Sequence, residues 1–68
     1  MKEIVLCNNL KEKRQQKNLS QEDLAKLVGT TRQTIIAIEK QHFNPSTKLA
    51  LLIALALDVS VEDLFYLE

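Results

Sequence analysis

The 68-residue sequence has few residues that interrupt or crosslink a chain: it contains one glycine, one proline and one cysteine, and no tryptophan. A single cysteine excludes an intrachain disulfide, which fits a reducing, cytoplasmic environment. No tract rich in glycine, proline or polar residues provides a linker, so we expect residues 1–68 to form a single domain. We therefore expect no separate ligand-binding domain and no small-molecule effector.

The sequence also lacks the signals of membrane insertion, export, metal binding and catalysis. Its longest apolar run, at 49–57, has nine residues and is too short to cross a membrane, and its start does not resemble a signal peptide. His42 stands alone, without another ligand at metal-binding spacing, and no nucleophile, base and acid form a catalytic set. We expect no metal or other cofactor, and an enzyme is the least favoured class.

The most informative segment is 20–40, SQEDLAKLVGTTRQTIIAIEK, which predicts two short amphipathic helices joined at the only glycine. Ser20 and Asp23 have the spacing of a capping box at the start of the first helix. Its predicted buried stripe consists of Leu24, Leu27 and Val28, with Ala25 beside it. Gly29 favours a left-handed stop, and Thr31 is placed to cap the second helix.

The second predicted helix has two chemically different sides. With about 100° between successive residues, Ile35 and Ile38 share the buried side with Thr31. The other side suits the DNA major groove, where Arg and Gln bond to purines, a small residue permits close approach and Lys reaches phosphate. Its residues are Arg32, Gln33, Ile36, Ala37 and Lys40. Residue types alone leave a second interpretation open, the solvated face of an ordinary helical bundle.

The order and spacing of these residues resemble the Cro/C1-type helix-turn-helix family, also called the XRE family. The run LVGTTRQTI at 27–35 is similar to the family's turn and recognition-helix start, and SQEDLA and IEK are similar to its flanks. The likeness extends to LKEKRQQKNLS and NPSTKLALLIALALDVSVEDLF, so it covers residues 10–65. It implies an all-α, five-helix fold and a sequence-specific DNA-binding regulator, a repressor that binds a palindromic operator as a homodimer.

Further DNA contacts are expected outside the groove face. Gln21 and Thr31, at helix N-termini, are placed to anchor phosphates, and the polar residues of 41–44 to reach the DNA backbone while Phe43 packs inward. An exposed Phe43 would instead indicate a protein contact. The predicted DNA-binding residues are Gln21, Thr31, Arg32, Gln33, Thr34, Ile36, Ala37, Lys40 and Asn44.

The resemblance also implies an ion pair. In the family, an arginine on the first helix pairs with an acid near the end of the recognition helix, and the matching residues here are Arg14 and Glu39. The position of Glu39 beside Ile35 and Ile38 favours this pair over two independent solvated charges. Such a pair would hold the first helix against the recognition helix.

The net charge is zero, but the charges are unevenly distributed. Residues 1–48 hold all nine Lys and Arg and five acids, a net charge of +4, whereas residues 49–68 hold four acids and no base. This asymmetry favours phosphate contact at one end and protein contact at the other, with chance clustering as the alternative. Within the acidic C-terminal third, Leu64, Phe65 and Leu67 supply apolar surface beyond the needs of the small core, so we expect them to form a dimer interface.

Apolar periodicity and capping residues predict five helices, near residues 9–17, 21–28, 32–39, 47–57 and 61–66. Asp58 stands where the family often has a glycine, and Asp tolerates left-handed backbone better than most residues. Residues 3–7 predict a short strand whose only candidate mate is 65–67, with a frayed terminus as the alternative. Packing in this strand is favoured for Cys7 over a redox role.

Two functions remain open from the sequence. The first is the DNA-binding regulator. The second is an antitoxin or anti-regulator of the same fold whose main partner is another protein. Ile36 fits both, because an exposed isoleucine can touch thymine methyl groups or lie in a protein interface.

Overall fold

The computed structural model describes residues 3–68 and contains five helices and a two-stranded antiparallel ribbon. In chain order, the elements are β1 (Leu6–Asn8), α1 (Leu10–Gln16), α2 (Gln21–Val28), α3 (Arg32–Glu39), α4 (Thr47–Leu57), α5 (Val61–Leu64) and β2 (Phe65–Leu67). The predicted five-helix fold with a terminal ribbon is confirmed. The last helix is shorter than the predicted 61–66, because the backbone of Phe65 is already extended and pairs with β1.

The apolar core lies between the helices. Its largest fully buried side chains are Leu10, Leu24, Ile35, Ile38, Ile53, Leu57 and Leu64. Helix α2 packs against both α3 and α4, so it lies between the recognition-helix candidate α3 and the long apolar helix α4. Burial of each such aliphatic side chain contributes about 1.5–3 kcal/mol before the entropy of ordering is subtracted. None of the described helices has the length and apolar content needed to cross a membrane.

Two leucines lie differently from the sequence predictions. Leu27 is 62% exposed, and Ala25 takes its place in the core beside Leu24 and Val28. Positions 24, 28 and 25 fall within about 100° of one another on the helix, while position 27 lies about 60° outside that arc. Leu64, predicted at a dimer interface, is fully buried because α5 directs it into the core.

Serine side chains cap the starts of α2, α4 and α5 as predicted. The Asp23 amide donates to Ser20 Oγ at 2.9 Å, and the Ser20 amide donates to the Asp23 carboxylate at 3.1 Å. The pKa of Asp23 lies below its ordinary value. The larger cause is the hydrogen bond that the Ser20 amide donates to the carboxylate, and the smaller cause is the Ser20 hydroxyl. Ser46 and Ser60 accept the corresponding amide bonds at the starts of α4 and α5.

Several helices are followed by a residue in the left-handed backbone conformation. Gly29 has φ 76° after α2 and Asp58 has φ 55° after α4, so the aspartate takes the backbone conformation in which the family often has a glycine. Asn18 and Gln41 also have positive φ, which the sequence did not predict. Each lies at a point where the chain turns between helices.

The ribbon joins the two ends of the described chain. Cys7 pairs with Tyr66 between the flanking pairs Leu6–Leu67 and Asn8–Phe65. Two more hydrogen bonds, of 2.8 and 2.9 Å, connect the backbones of Val5 and Glu68. The predicted pairing with 65–67 is therefore confirmed, although the first strand starts later than expected and includes Asn8.

Gly29 provides a test of the turn between α2 and α3. Gly29→Ala should lower the free energy of unfolding by about 1–2 kcal/mol, because alanine is strained in left-handed backbone. A Cβ added at this position meets no atom within 4 Å, so the loss reflects backbone conformation and not a clash. Gly29→Asn should lose less, because asparagine tolerates this conformation. Denaturant titration measures both variants, and equal losses would contradict this explanation.

Candidate nucleic-acid interface

Helix α3 presents its polar side outward because its apolar side is anchored in the core. Ile35 and Ile38 are fully buried, whereas Arg32, Gln33 and Lys40 are exposed. Thr34, Ile36 and Ala37 are half-buried, so they lie lower on the same surface. The five residues predicted for the groove side are thus all at least partly accessible in the structure, and so is Thr34.

The start of α3 combines a side-chain cap with free amide donors. Thr31 Oγ1 accepts a hydrogen bond from the Thr34 amide at 3.2 Å and lies 3.0 Å from the Thr34 hydroxyl. Thr31 is exposed, and not on the buried side of the helix, because it precedes the first helical residue. The first amides of a helix have no intrahelical partner, so this end suits a phosphate.

Gln21 lies at the start of α2, but its side chain is engaged within the protein. Its Nε2 donates to Glu39 Oε1 at 3.1 Å, and the residue is half-buried. A primary amide carries two N–H groups, so one remains for a phosphate oxygen. Gln21 therefore connects a predicted phosphate contact to the interior of the helix-turn-helix unit, which the sequence did not predict.

In the segment 41–44, which follows α3, the expectation that Phe43 packs inward is wrong. Gln41 has φ 61°, and this left-handed turn directs residues 42–44 away from the core. Phe43 is consequently 48% exposed and does not pack inward. Asn44 is exposed as well. One N–H of the Gln41 side chain is used within the protein, because Nε2 donates to the Leu6 carbonyl at 3.0 Å.

Behind this surface lies a buried ion pair between α1 and α3. Arg14 Nε lies 2.7 Å from Glu39 Oε2 and its Nη2 3.3 Å from Oε1, with the two side chains only 9% and 7% exposed. Arg14 Nη1 donates to the Leu19 carbonyl at 2.8 Å. Among the described residues, no buried side-chain nitrogen or oxygen lacks a partner. The pair therefore meets the condition under which buried charges are tolerated.

The described residues hold no group of three or more His, Cys, Asp or Glu side chains that could bind a metal. His42 lies on the exposed segment after α3, and Cys7 is half-buried in β1. The chemistry of the surface around α3 is that of hydrogen-bond donors and positive charge. Such a surface is suited to reading base edges and neutralising phosphates.

A family model described as helix-turn-helix matches residues 10–64. The chain belongs to the Cro/C1-type helix-turn-helix family. This helix-turn-helix protein is 56% identical over 61 residues to an uncharacterised HTH-type transcriptional regulator of Methanocaldococcus jannaschii, covering 90% of this chain and 92% of that protein. It is 49% identical over 61 residues to the HTH-type transcriptional regulator YgzD of Bacillus subtilis, with coverage of 90% and 92%.

Solved structures of similar proteins have the same fold. The restriction-modification controller protein C.AhdI from Aeromonas hydrophila is 39% identical, with a TM-score of 0.75 over 79% of this chain and 78% of that chain. A hypothetical transcription factor from Neisseria, NHTF, is 31% identical, with a TM-score of 0.75 over 81% of this chain and 63% of that chain. The resemblance stated from the sequence is therefore confirmed, and this helix-turn-helix protein is a member of a family of transcriptional regulators.

Three hydrogen bonds around the helix-turn-helix unit were missed from the sequence. Gln21 donates to Glu39, Gln41 donates to the Leu6 carbonyl, and Asn8 donates to the Ile38 carbonyl at 2.9 Å. All three join residues at least 18 positions apart. Bonds over such separations leave no signal in the local sequence.

The ion pair can be tested by a double-mutant cycle. Arg14→Ala or Glu39→Ala alone should lower the free energy of unfolding by about 3–5 kcal/mol, because each leaves a buried charge without its partner. The double variant should lose less than the sum of the single losses.

The exposed pair Lys26–Glu22, at 3.7 Å on α2, is the control. Its coupling energy in the same cycle should be about 0.3–0.5 kcal/mol, since water screens both charges. Thermal or denaturant unfolding of both sets measures the difference. Additive losses at Arg14 and Glu39 would show that the two side chains do not support each other.

Proposed function

We propose that this protein is a sequence-specific transcriptional regulator that binds a palindromic operator as a homodimer and represses transcription. The observation that carries the proposal is the accessible polar side of α3, held on the core by Ile35 and Ile38. Membership of a family of transcriptional regulators supports it. Repression requires only occupancy of the operator, which needs no further protein surface. The protein would act in the cytoplasm, the compartment that holds its target.

Helix α3 is the proposed base reader. Gln33 and Arg32 are both exposed on its first turn: Gln33 offers a donor and an acceptor to a purine edge in the major groove, and Arg32 offers paired donors. Ala37 permits close approach of the helix, and Ile36 offers an apolar contact to a thymine methyl group. Thr34, half-buried on the same turn, adds a hydroxyl near the first bases.

The proposed phosphate contacts surround this helix. Gln21 would donate its second side-chain N–H to a phosphate oxygen. The backbone amides after Thr31, at the positive end of α3, would bind a second phosphate. Lys40 and Asn44 are exposed beyond the other end of the helix and would reach the neighbouring backbone. These contacts orient the protein on the duplex without selecting its sequence.

Dimerisation through the acidic C-terminal third follows from its exposed apolar residues. Leu67 is 69% exposed, Phe65 is partly exposed, and Leu51 and Leu55 on α4 are also exposed. Leu64 is excluded from this surface because it is buried in the core. One recognition helix reads only a few base pairs, so two half-sites about 10 base pairs apart would give the required specificity.

One observation favours a second function, in which the main partner is a protein. Phe43 is exposed beside the proposed DNA surface, where an aromatic side chain is also suited to a protein interface. An antitoxin or anti-regulator would use this same surface. Salt dependence separates the two functions, because phosphate neutralisation makes affinity fall steeply with salt, whereas an apolar protein interface lacks this dependence.

Base reading is tested at Gln33, with Lys40 as the control. Gln33→Ala should cost about 1–3 kcal/mol on duplexes selected from a random pool and should relax preference at one position. Lys40→Ala should weaken all duplexes alike and reduce the salt slope by about one. Titration with selected and scrambled duplexes across a salt series measures both. Equal weakening of both duplexes by Gln33→Ala would reject α3 as the reader and favour the protein partner.

Dimerisation is tested at Leu67, with Leu27 as the control. Leu67→Glu should shift the protein from dimer to monomer in sedimentation, because it adds negative charge to an apolar surface that is already acidic. Leu27→Glu makes the same change at a similarly exposed leucine on α2, outside the C-terminal third, and should leave the dimer intact. A wild-type protein that is monomeric both free and on a palindromic duplex would reject this part of the proposal.

A further inference from the structure

Two side-chain hydrogen bonds connect the terminal ribbon to the end of the recognition helix. Asn8, in β1, donates from Nδ2 to the Ile38 carbonyl of α3 at 2.9 Å. In the opposite direction, Gln41, just after α3, donates from Nε2 to the Leu6 carbonyl of β1 at 3.0 Å. The strand and the last turn of the recognition helix therefore hold each other from both sides.

The end of α3 is capped by a left-handed turn, in which the Gln41 amide donates to the Ile38 carbonyl and the His42 amide to the Ala37 carbonyl, both at 2.9 Å. It ends in neither glycine nor proline, it carries no basic residue in its last turn, and the chain leaves it through a left-handed non-glycine residue, Gln41. The last carbonyls of any helix lack intrahelical partners. Ile38 is one of these residues, and its carbonyl accepts from the Gln41 amide at 2.9 Å as well as from Asn8.

Asn8 contacts three different elements of the fold. Its Oδ1 accepts from the Leu10 amide at 3.1 Å at the start of α1, while its backbone pairs with Phe65 of β2. One asparagine thus joins the first helix, the C-terminal strand and the end of α3. The strand β2 carries Leu67, which belongs to the proposed dimer surface.

We propose that Asn8 is a positioning residue for DNA reading. Through it, the ribbon holds the C-terminal half of α3, with Ile36 and Ala37, in the orientation needed to contact bases. The ribbon also links this half of the helix to the proposed dimer surface on β2. This inference rests on the proposed function of α3 as the base reader.

The test is Asn8→Asp, with Asn9→Asp as a matched control. The Asn8→Asp side chain retains the acceptor for the Leu10 amide but places a carboxylate oxygen against the Ile38 carbonyl, where the donor was. Asn9 is its neighbour, of the same type, and donates to the Asp63 carbonyl on α5 at 3.1 Å, away from α3. Both variants change the net charge equally, so general repulsion from DNA is matched.

Two measurements are made on each variant. In Asn8→Asp, amide hydrogen exchange at Gln41 and His42, whose N–H groups bond to the last carbonyls of α3, should accelerate about tenfold relative to Asn9→Asp. The ratio of affinities for selected over scrambled duplexes should fall about tenfold in Asn8→Asp alone. The lost preference should lie at base pairs under Ile36 and Ala37, with the position read by Gln33 retained.

Gln41→Glu provides a second route should Asn8→Asp fail to fold. It removes the other bond at an exposed position, and its charge affects both duplexes equally, so a fall in the affinity ratio again supports the inference. Unchanged exchange at the end of α3, or faster exchange with an unchanged ratio, overturns the inference and leaves the proposed function intact. A wild-type protein without preference for any duplex rejects both.

Discussion

The Glu39 carboxylate, carried by α3, accepts hydrogen bonds from Arg14 of α1 and Gln21 of α2. Each partner comes from a different helix, and the ion pair itself is nearly excluded from water. A charge in this position is tolerated only while its partners stay in place, because desolvation without pairing costs several kcal/mol. The three helices are therefore held in one relative arrangement, and that arrangement determines which side of α3 faces outward.

The accessible side of α3 depends on this constraint together with the apolar core. Ile35 and Ile38 supply the burial energy, while the ion pair selects the rotation and angle at which the helix is buried. Burial alone is not directional, whereas a charged hydrogen bond requires a defined geometry. The combination accounts for a helix of eight residues that presents a defined polar surface on so small a core.

The two ends of α3 are supported in different ways. At its start, Thr31 caps the first turn through a bond between residues three positions apart. At its end, the support comes from Asn8, 30 positions away, and from the left-handed turn at Gln41. The start is thus a property of local sequence, while the end combines a local turn with a bond from the ribbon that joins the termini. The C-terminal strand β2 is connected to α3 through β1, which pairs with β2 and carries Asn8.

Features that act over three or four residues could be predicted from the sequence alone. The serine caps, the left-handed stop at Gly29 and the apolar periodicity gave helix boundaries close to those observed, because each depends on neighbouring backbone groups. Packing between distant elements sets the exposure of Leu27 and Phe43 and the burial of Leu64. It also brings Gln21 and Asn8 within hydrogen-bond distance of α3. Periodicity gives the direction of a side chain on its own helix but not which neighbouring element covers it. Hydrogen bonds between distant residues arise only once packing has brought the elements together.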